Sequence, residues 1–235
     1  MIVFCFLTYN DILPIRYWNT FFENIPHEQY KVLIHSKTQI NTQKYKFPVF
    51  VCKNKINTKG KAHISIVQAT LRLFKESIEY WDETLTHIVF CSQNCIPLYA
   101  FSFYKSLLEN CPKSMISYIQ GNKKERYHQL NNQIKRYFNI NDFVKQQPNM
   151  ILCKKDIKSL LSADVTPYFK DMECPDEHYF INILLYILKC DILKIQTHFC
   201  NFNLKKTQAL EFKNVNAQLI QYIKKMGFLF LRKVY

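Results

Sequence analysis

Asp176 and Glu177 sit between Pro175 and an apolar run, in Cys174-Pro175-Asp176-Glu177-His178-Tyr179-Phe180. The run continues through Ile181, Ile183, Leu184, Leu185, Ile187 and Leu188. Proline suits the first helical turn, and acids there meet the positive end of the helix dipole. A carboxylate so placed at the edge of a cleft can take a proton from a hydroxyl nucleophile. First-turn acids are common, and taken alone these two are better read as doing no more than stabilise a helix start. His178 adds a third titratable group.

Cations that could neutralise a leaving anion stand near the C-terminus. Lys205 and Lys206 follow an expected strand, and Arg232 and Lys233 end the last one. For any single lysine, solvated surface charge is the plainer explanation. Two clusters at strand ends are more suggestive, because α/β sheets bind ligands at the carboxyl ends of their strands. His35 also follows a strand, in Val32-Leu33-Ile34-His35-Ser36-Lys37, with no second histidine or acid at metal-ligand spacing. Ser92-Gln93-Asn94-Cys95-Ile96-Pro97-Leu98 is a polar turn after a strand, and it puts Asn94 at such an edge. The chain has no Asp-x-Asp, and Asp171-x-Glu173 is a weak substitute. No metal and no other cofactor is therefore expected. Side-chain cations must then balance a departing diphosphate.

The elements that must hold these groups alternate. Short apolar runs at 2–7, 30–35, 47–52, 86–91, 114–119, 150–153, 192–197 and 228–232 read as strands. Helices are expected after Pro14 and over 63–81, 100–109, 156–161 and 215–226, with another after Pro175. Residues 63–81 place Ile64, Val67, Leu71, Phe74, Ile78 and Trp81 on one face. Residues 123–141 are polar and expected to be part helix, part loop. The alternation implies a mostly parallel, doubly wound α/β sheet, in a single domain over 1–235.

Composition sets the bounds. The chain has 235 residues, 48% hydrophobic and 21% charged, enough for a full globular core. It carries three glycines, Gly60, Gly121 and Gly227, which excludes a Rossmann fingerprint or a P-loop. Nine cysteines occur without a CxxC, and buried free thiols are expected. Cys91 and Cys95 read as one strand thiol and one loop thiol. The net charge is +14, carried mostly by scattered lysines, with only Arg16, Arg72, Arg126, Arg136 and Arg232 as arginines. Nucleic-acid readers lean on arginine, so no nucleic-acid partner is expected. The alternative is a non-catalytic basic module that binds nucleic acid or another polyanion. No run is long enough to span a bilayer and no secretion signal opens the chain, so a cytoplasmic protein is expected. The small size and AT-rich style would suit a large DNA virus or a bacterium.

The segments, taken in order, resemble the core-2/I-branching N-acetylglucosaminyltransferase family, in its compact plant-type branch. Phe6-Leu7-Thr8 opens the first strand, and Trp18 to Phe22 is similar to the family's "W..FF" helix. Ile34-His35-Ser36 resembles "VHS". Gly60, Ser65, Val67 and Ala69 are similar to "WG..S.V.A", with Lys59 where the tryptophan would be. Ser92 to Tyr99 resembles "SESCIPLY", and Arg126-Tyr127 resembles "RY". Asp176 to Phe180 reproduces "DEHYF", and Leu229 to Lys233 is close to "LFARK". Lys145-Gln146-Gln147-Pro148-Asn149-Met150 stands where the family has "KGSQWF", a segment that shapes the sugar and acceptor pocket.

The resemblance implies a GT-A-like fold and an inverting, metal-independent transfer. The donor would be a UDP-sugar, of N-acetylglucosamine or xylose, and the acceptor a hydroxyl of a glycan or glycoprotein. It assigns Glu177 as general base. It assigns Lys233, with Arg232, and Lys205 or Lys206 to the diphosphate. His35 goes to the nucleotide sugar. Asn94, Arg126, Tyr127, Asp176 and His178 fall to the acceptor side or the pocket wall.

Overall fold

The computed structural model describes residues 1–60, 63–120, 124–201 and 209–235. In chain order the elements are β1 (Ile2–Thr8), α1 (Ile15–Phe22), β2 (Tyr30–Ser36), β3 (Phe50–Val51), α2 (Ser65–Trp81), β4 (His87–Ser92), β5 (Ile96–Pro97), α3 (Phe101–Glu109) and β6 (Met115–Gln120). There follow α4 (Lys124–His128), α5 (Asn132–Lys135), β7 (Val144–Cys153), α6 (Lys154–Ser162), α7 (Tyr179–Asn182), β8 (His198–Cys200), α8 (Ala217–Lys225) and β9 (Phe230–Arg232).

Six strands form one sheet in the order β3-β2-β1-β4-β7-β6. The pairs from β3 through β4 are parallel, while β7 runs antiparallel to both its neighbours. The fold class read from the sequence, a mostly parallel α/β sheet flanked by helices, is the one observed. The central strands are continuous apolar runs because both of their faces are covered, as parallel sheets require. Along β1, Phe4 and Phe6 face one core layer and Val3 and Cys5 the other.

The first layer is built on α1 and α3. Trp18 meets Phe4, Phe6, Phe21 and Phe22 at centroid distances of 4.9–5.9 Å. Its Nε1–H donates to the Cys95 carbonyl at 2.8 Å, which ties α1 to the turn after β4. The second layer holds α2, α6 and α7. There α2 buries Val67, Leu73 and Phe74, and also the carboxylate of Glu76. Glu76 accepts from the Cys52 thiol and from the N–H groups of Lys53 and Asn54, at 3.0–3.1 Å. That fixes the path of the chain leaving β3.

Several expectations are corrected. The strand expected over 47–52 shrinks to Phe50–Val51. The strand expected over 192–197 is absent; only Leu193 bridges to Met115, and the strand forms at His198–Cys200 instead. The strand expected over 150–153 starts earlier, at Val144, so Lys145 to Met150 is sheet. The helix expected after Pro175 is broken in type. A 3-10 turn at Pro175–Glu177 leads into α7, which gives way to a π-helical turn at Ile183–Ile187. Side chains impose the break. Asn182 Nδ2 donates to the carbonyls of Val144 and His178, at 2.8 and 2.6 Å, and its Oδ1 accepts from Val144 N–H at 3.0 Å. Gln146 Oε1 accepts from Ile181 N–H at 2.7 Å. These bonds clamp the turn against β7, and no regular α-helix runs on from Glu177.

A second sheet, of order β5-β9-β8, covers the end of the molecule beyond β4. Its registers place Cys200 beside Arg232 and Ile96 beside Leu231. Its β9 is the strand expected over 228–232, while β5 and β8, of two and three residues, gave no readable run in the sequence.

Candidate active site

The order of the large sheet reverses between β1 and β4, and crevices at such switch points are where α/β sheets take ligands. The registers set His35, Leu7 and Ser92 side by side at the carboxyl ends of β2, β1 and β4. Ser92 N–H donates to Asn149 Oδ1 at 3.2 Å, which brings β7 to the same edge. Leu7, Phe90, Ser92, Pro148 and Asn149 line a cleft of about 70 Å³, and Asp176 and Phe180 close it. The cleft would hold a fragment such as one hydroxyl-bearing carbon, less than the 300–1,000 Å³ typical of a whole ligand site. A larger groove of about 670 Å³ runs between α2 and α6, rimmed by Arg72, Lys75, Asp164 and Lys170. Neither Asp176 nor Glu177 lines it.

Asp176 and Glu177 reach the edge on the Pro175 turn, after Cys174 in left-handed backbone with φ 53°. Glu177 Oε2 pairs with Lys145 Nζ at 2.8 Å, and both side chains are about a third exposed, at 30% and 32%. The carboxylate is therefore held by a cation on β7, not by the dipole of a continuous helix as the sequence suggested. Asp176 has a different setting. Burial pushes its carboxyl up and repulsion from Glu177 adds to this. A backbone hydrogen bond and, less, the charges of Arg232 and Lys145 pull back, and the balance is about 6. Two acids and Lys145 thus stand where the parallel strands end, with Arg232 near enough for its charge to act on Asp176.

His178 does not face the cleft as a titrating group. It is buried, its Nδ1–H donates to the Val144 carbonyl at 2.9 Å, and Phe143 stacks on its ring at 4.7 Å. Burial pushes the imidazole down to about 4. Tyr127 continues that aromatic row, 5.8 Å from Phe143, and donates its hydroxyl to the Phe138 carbonyl at 3.2 Å. Arg126 pairs with Glu173 at 2.5 Å, close enough to Cys174 and His178 for its charge to act on both. His178, Tyr127 and Arg126 back the Pro175 turn.

On the far side, the Asn94 carbonyl accepts from Val234 N–H at 2.9 Å, so the turn after β4 holds the end of β9. The Nδ2 of Asn94 and the Nε of Arg232 are buried without a partner among the described residues. The charge of Arg232 reaches Asp176 and lowers its pKa, and Lys233 follows it, half-buried. His35 is buried one strand further along the edge, where its Nε2 accepts from Ile56 N–H at 2.9 Å. Burial lowers its pKa, so the ring is a neutral acceptor. Lys205 and Lys206 lie outside the described residues.

The structure thus brings together Asp176, Glu177 and Arg232, and sets His35, Asn94, Arg126, Tyr127 and His178 around them. Lys145 stood in the sequence only as the start of the segment resembling "KGSQWF"; its pairing with Glu177 was not read, because the partner is distant in sequence. The one convergence of metal-ligating side chains among the described residues, Cys91, Cys95 and His198, includes no carboxylate.

No curated protein matches the chain in sequence. Among solved structures, a protein of Bacillus anthracis described as a glucose-1-phosphate thymidylyltransferase, in complex with sucrose, is 10% identical. That likeness covers 81% of this chain and 85% of that one, with a TM-score of 0.42. The 4-diphosphocytidyl-2C-methyl-D-erythritol synthase of Anaerococcus prevotii is 8% identical over 81% of this chain and 86% of that one, with a TM-score of 0.37. At TM-scores below 0.5 neither likeness bears on the chemistry. A family model bears on it directly, for residues 2–224 match that of the Core-2/I-Branching enzymes, and the chain belongs to that glycosyltransferase family.

Proposed function

We propose that this protein is an inverting glycosyltransferase that uses a UDP-sugar donor without a divalent metal. The observation that carries the reading is the Glu177–Lys145 pair beside Asp176 and Arg232, at the carboxyl edge of the sheet. In the proposed reaction an acceptor hydroxyl attacks the anomeric carbon from the face opposite UDP. Its proton passes to Glu177, the bond from the anomeric carbon to the phosphate oxygen breaks, and the electron pair leaves with UDP. Arg232 and Lys233, with Lys205 or Lys206, would neutralise the departing diphosphate, the work a metal does elsewhere. The family match ends at residue 224, so the case for Arg232 and Lys233 stands on their position. Lys145 would hold the Glu177 carboxylate in place until the acceptor displaces it. N-acetylglucosamine or xylose is the proposed sugar, and a glycan or glycoprotein hydroxyl the proposed acceptor.

A second assignment of the base has its own support. Asp176, with a pKa of about 6, is better matched to proton transfer near neutral pH, and it lines the cleft. The two acids are separated by the substitutions below.

The reaction class is tested by incubating the protein with UDP-N-acetylglucosamine or UDP-xylose in EDTA, with and without a glycan acceptor. Release of UDP and a product of inverted anomeric configuration are expected. A strict manganese requirement would sink the metal-free reading, and a retained anomer would sink the direct displacement.

A further inference from the structure

Cys91, Cys95 and His198 each offer one ligand atom, and these atoms all lie within 4.8 Å of one another. All three residues are buried. They come from three places: Cys91 from the end of β4, Cys95 from the turn that follows, and His198 from the start of β8. Cys91 Sγ stands 3.8 Å from His198 Nε2. A tetrahedral zinc ion, with Zn–S near 2.3 Å and Zn–N near 2.0 Å, sets its ligand atoms about 3.5–3.8 Å apart. Small side-chain rotations would therefore close the set.

The surroundings are those of a ligand set. His198 Nδ1 shares a hydrogen bond with Thr197 Oγ1 at 2.9 Å, which leaves Nε2 for the thiols. Metal-bound histidines are oriented in this way through their other nitrogen. Phe230 stacks on the ring at 4.5 Å and fixes its plane. Ser92 Oγ lies 3.2 Å from Cys95 Sγ, a hydrogen bond to that sulfur from beside the ligand set. Two thiolates and an imidazole in dry surroundings suit a thiophilic ion, while magnesium and calcium want oxygen.

We infer that Cys91, Cys95 and His198 bind one zinc ion in a structural role. Two thiolates balance its two charges, and the two thiol protons pass to solvent on binding. The site would join the large sheet, through Cys91, to the small sheet, through His198. It would thereby seat β9, where Arg232 pairs in register with Cys200 of β8. The inference does not depend on the proposed glycosyl transfer, because its readouts are metal content and absorption.

Protein purified without chelator is expected to carry one zinc per chain by elemental analysis. After chelator treatment, titration with cobalt(II) should give thiolate-to-cobalt absorption that saturates at one equivalent. Cys95→Ser should lose the metal and Cys111→Ser, outside the cluster, should keep it. Metal-free wild-type protein should also melt at a lower temperature than the zinc form. The inference is overturned by wild-type protein that holds no zinc and gives no cobalt–thiolate absorption. Full zinc occupancy in Cys95→Ser, or a Cys91–Cys95 disulfide in freshly purified protein, would overturn it as well. If Cys95→Ser does not fold, the wild-type cobalt titration decides alone.

Discussion

Asp176 and Glu177 are adjacent in sequence and differ in what surrounds them. Burial and the charge of Glu177 raise the Asp176 carboxyl from 3.8 to about 6. Between those two values the folded chain keeps a proton that the unfolded chain has released. Stability therefore falls as pH rises through that window, and the cost is fully present above it. Asp176→Asn removes the cost, so the variant should melt above wild type at pH 7 and level with it at pH 4, in thermal scans across pH. Glu177→Gln removes the repulsion and should lower the Asp176 pKa, followed by carbon NMR of its carboxyl. An unchanged pKa would mean the two acids do not face each other. At this scale the acids, the histidine and Arg232 were legible because their types and positions at strand or helix ends are local facts. The pairing of Lys145 with Glu177 was not, because it joins residues distant in the chain and nothing near Lys145 in sequence marks a partner.

At the scale of elements, legibility followed burial. β1, β2 and β4 are covered on both faces, so they read as unbroken apolar runs. Ile192, Leu193 and Ile195 gave a similar run, yet Ile195 is 40% exposed and only Leu193 bonds to the sheet, through Ser114 and Ile116. The helix after Pro175 was read from its apolar residues, and the polar Asn182 and Gln146 that reshape it bond across the fold. Removing that clamp with Asn182→Ala leaves the buried Val144 N–H unpaired, while the Val144 carbonyl keeps the His178 Nδ1–H. The expected loss is about 1–3 kcal/mol in denaturant unfolding. Glu76 was hidden in the same way, on a helix that reads as amphipathic. Burial pushes its carboxyl up. The Cys52 thiol, the N–H groups of Asn54 and Lys53 and the charge of Arg72 outweigh this and hold it below the ordinary range. Glu76→Ala should cost about 3 kcal/mol or more, since three donors lose their acceptor. Because the carboxyl is depressed, the stability it adds is present at neutral pH and is lost as pH falls through its folded value.

Across the whole molecule, the alternation of strands and helices was enough to give a mostly parallel sheet, and the switch point between β1 and β4 follows from the strand order. The antiparallel β7 and the small sheet were not foreseen, and they deliver Lys145 and Arg232 to the edge. Among the described residues, no helix is long and apolar enough to cross a membrane. The net charge of +14 sets one further expectation. UDP should raise the melting temperature, and added salt should weaken that effect, because lysine and arginine contacts to a diphosphate are screened. Arg232→Ala should shrink the UDP shift; a full shift in that variant would remove Arg232 from the diphosphate site. Glu177→Gln, assayed beside Asp176→Asn for sugar transfer and for UDP binding, tests the proposed mechanism most directly. The expected result is a fall in transfer of about a hundredfold or more for Glu177→Gln, with UDP binding kept. Transfer at the wild-type rate by Glu177→Gln would contradict it.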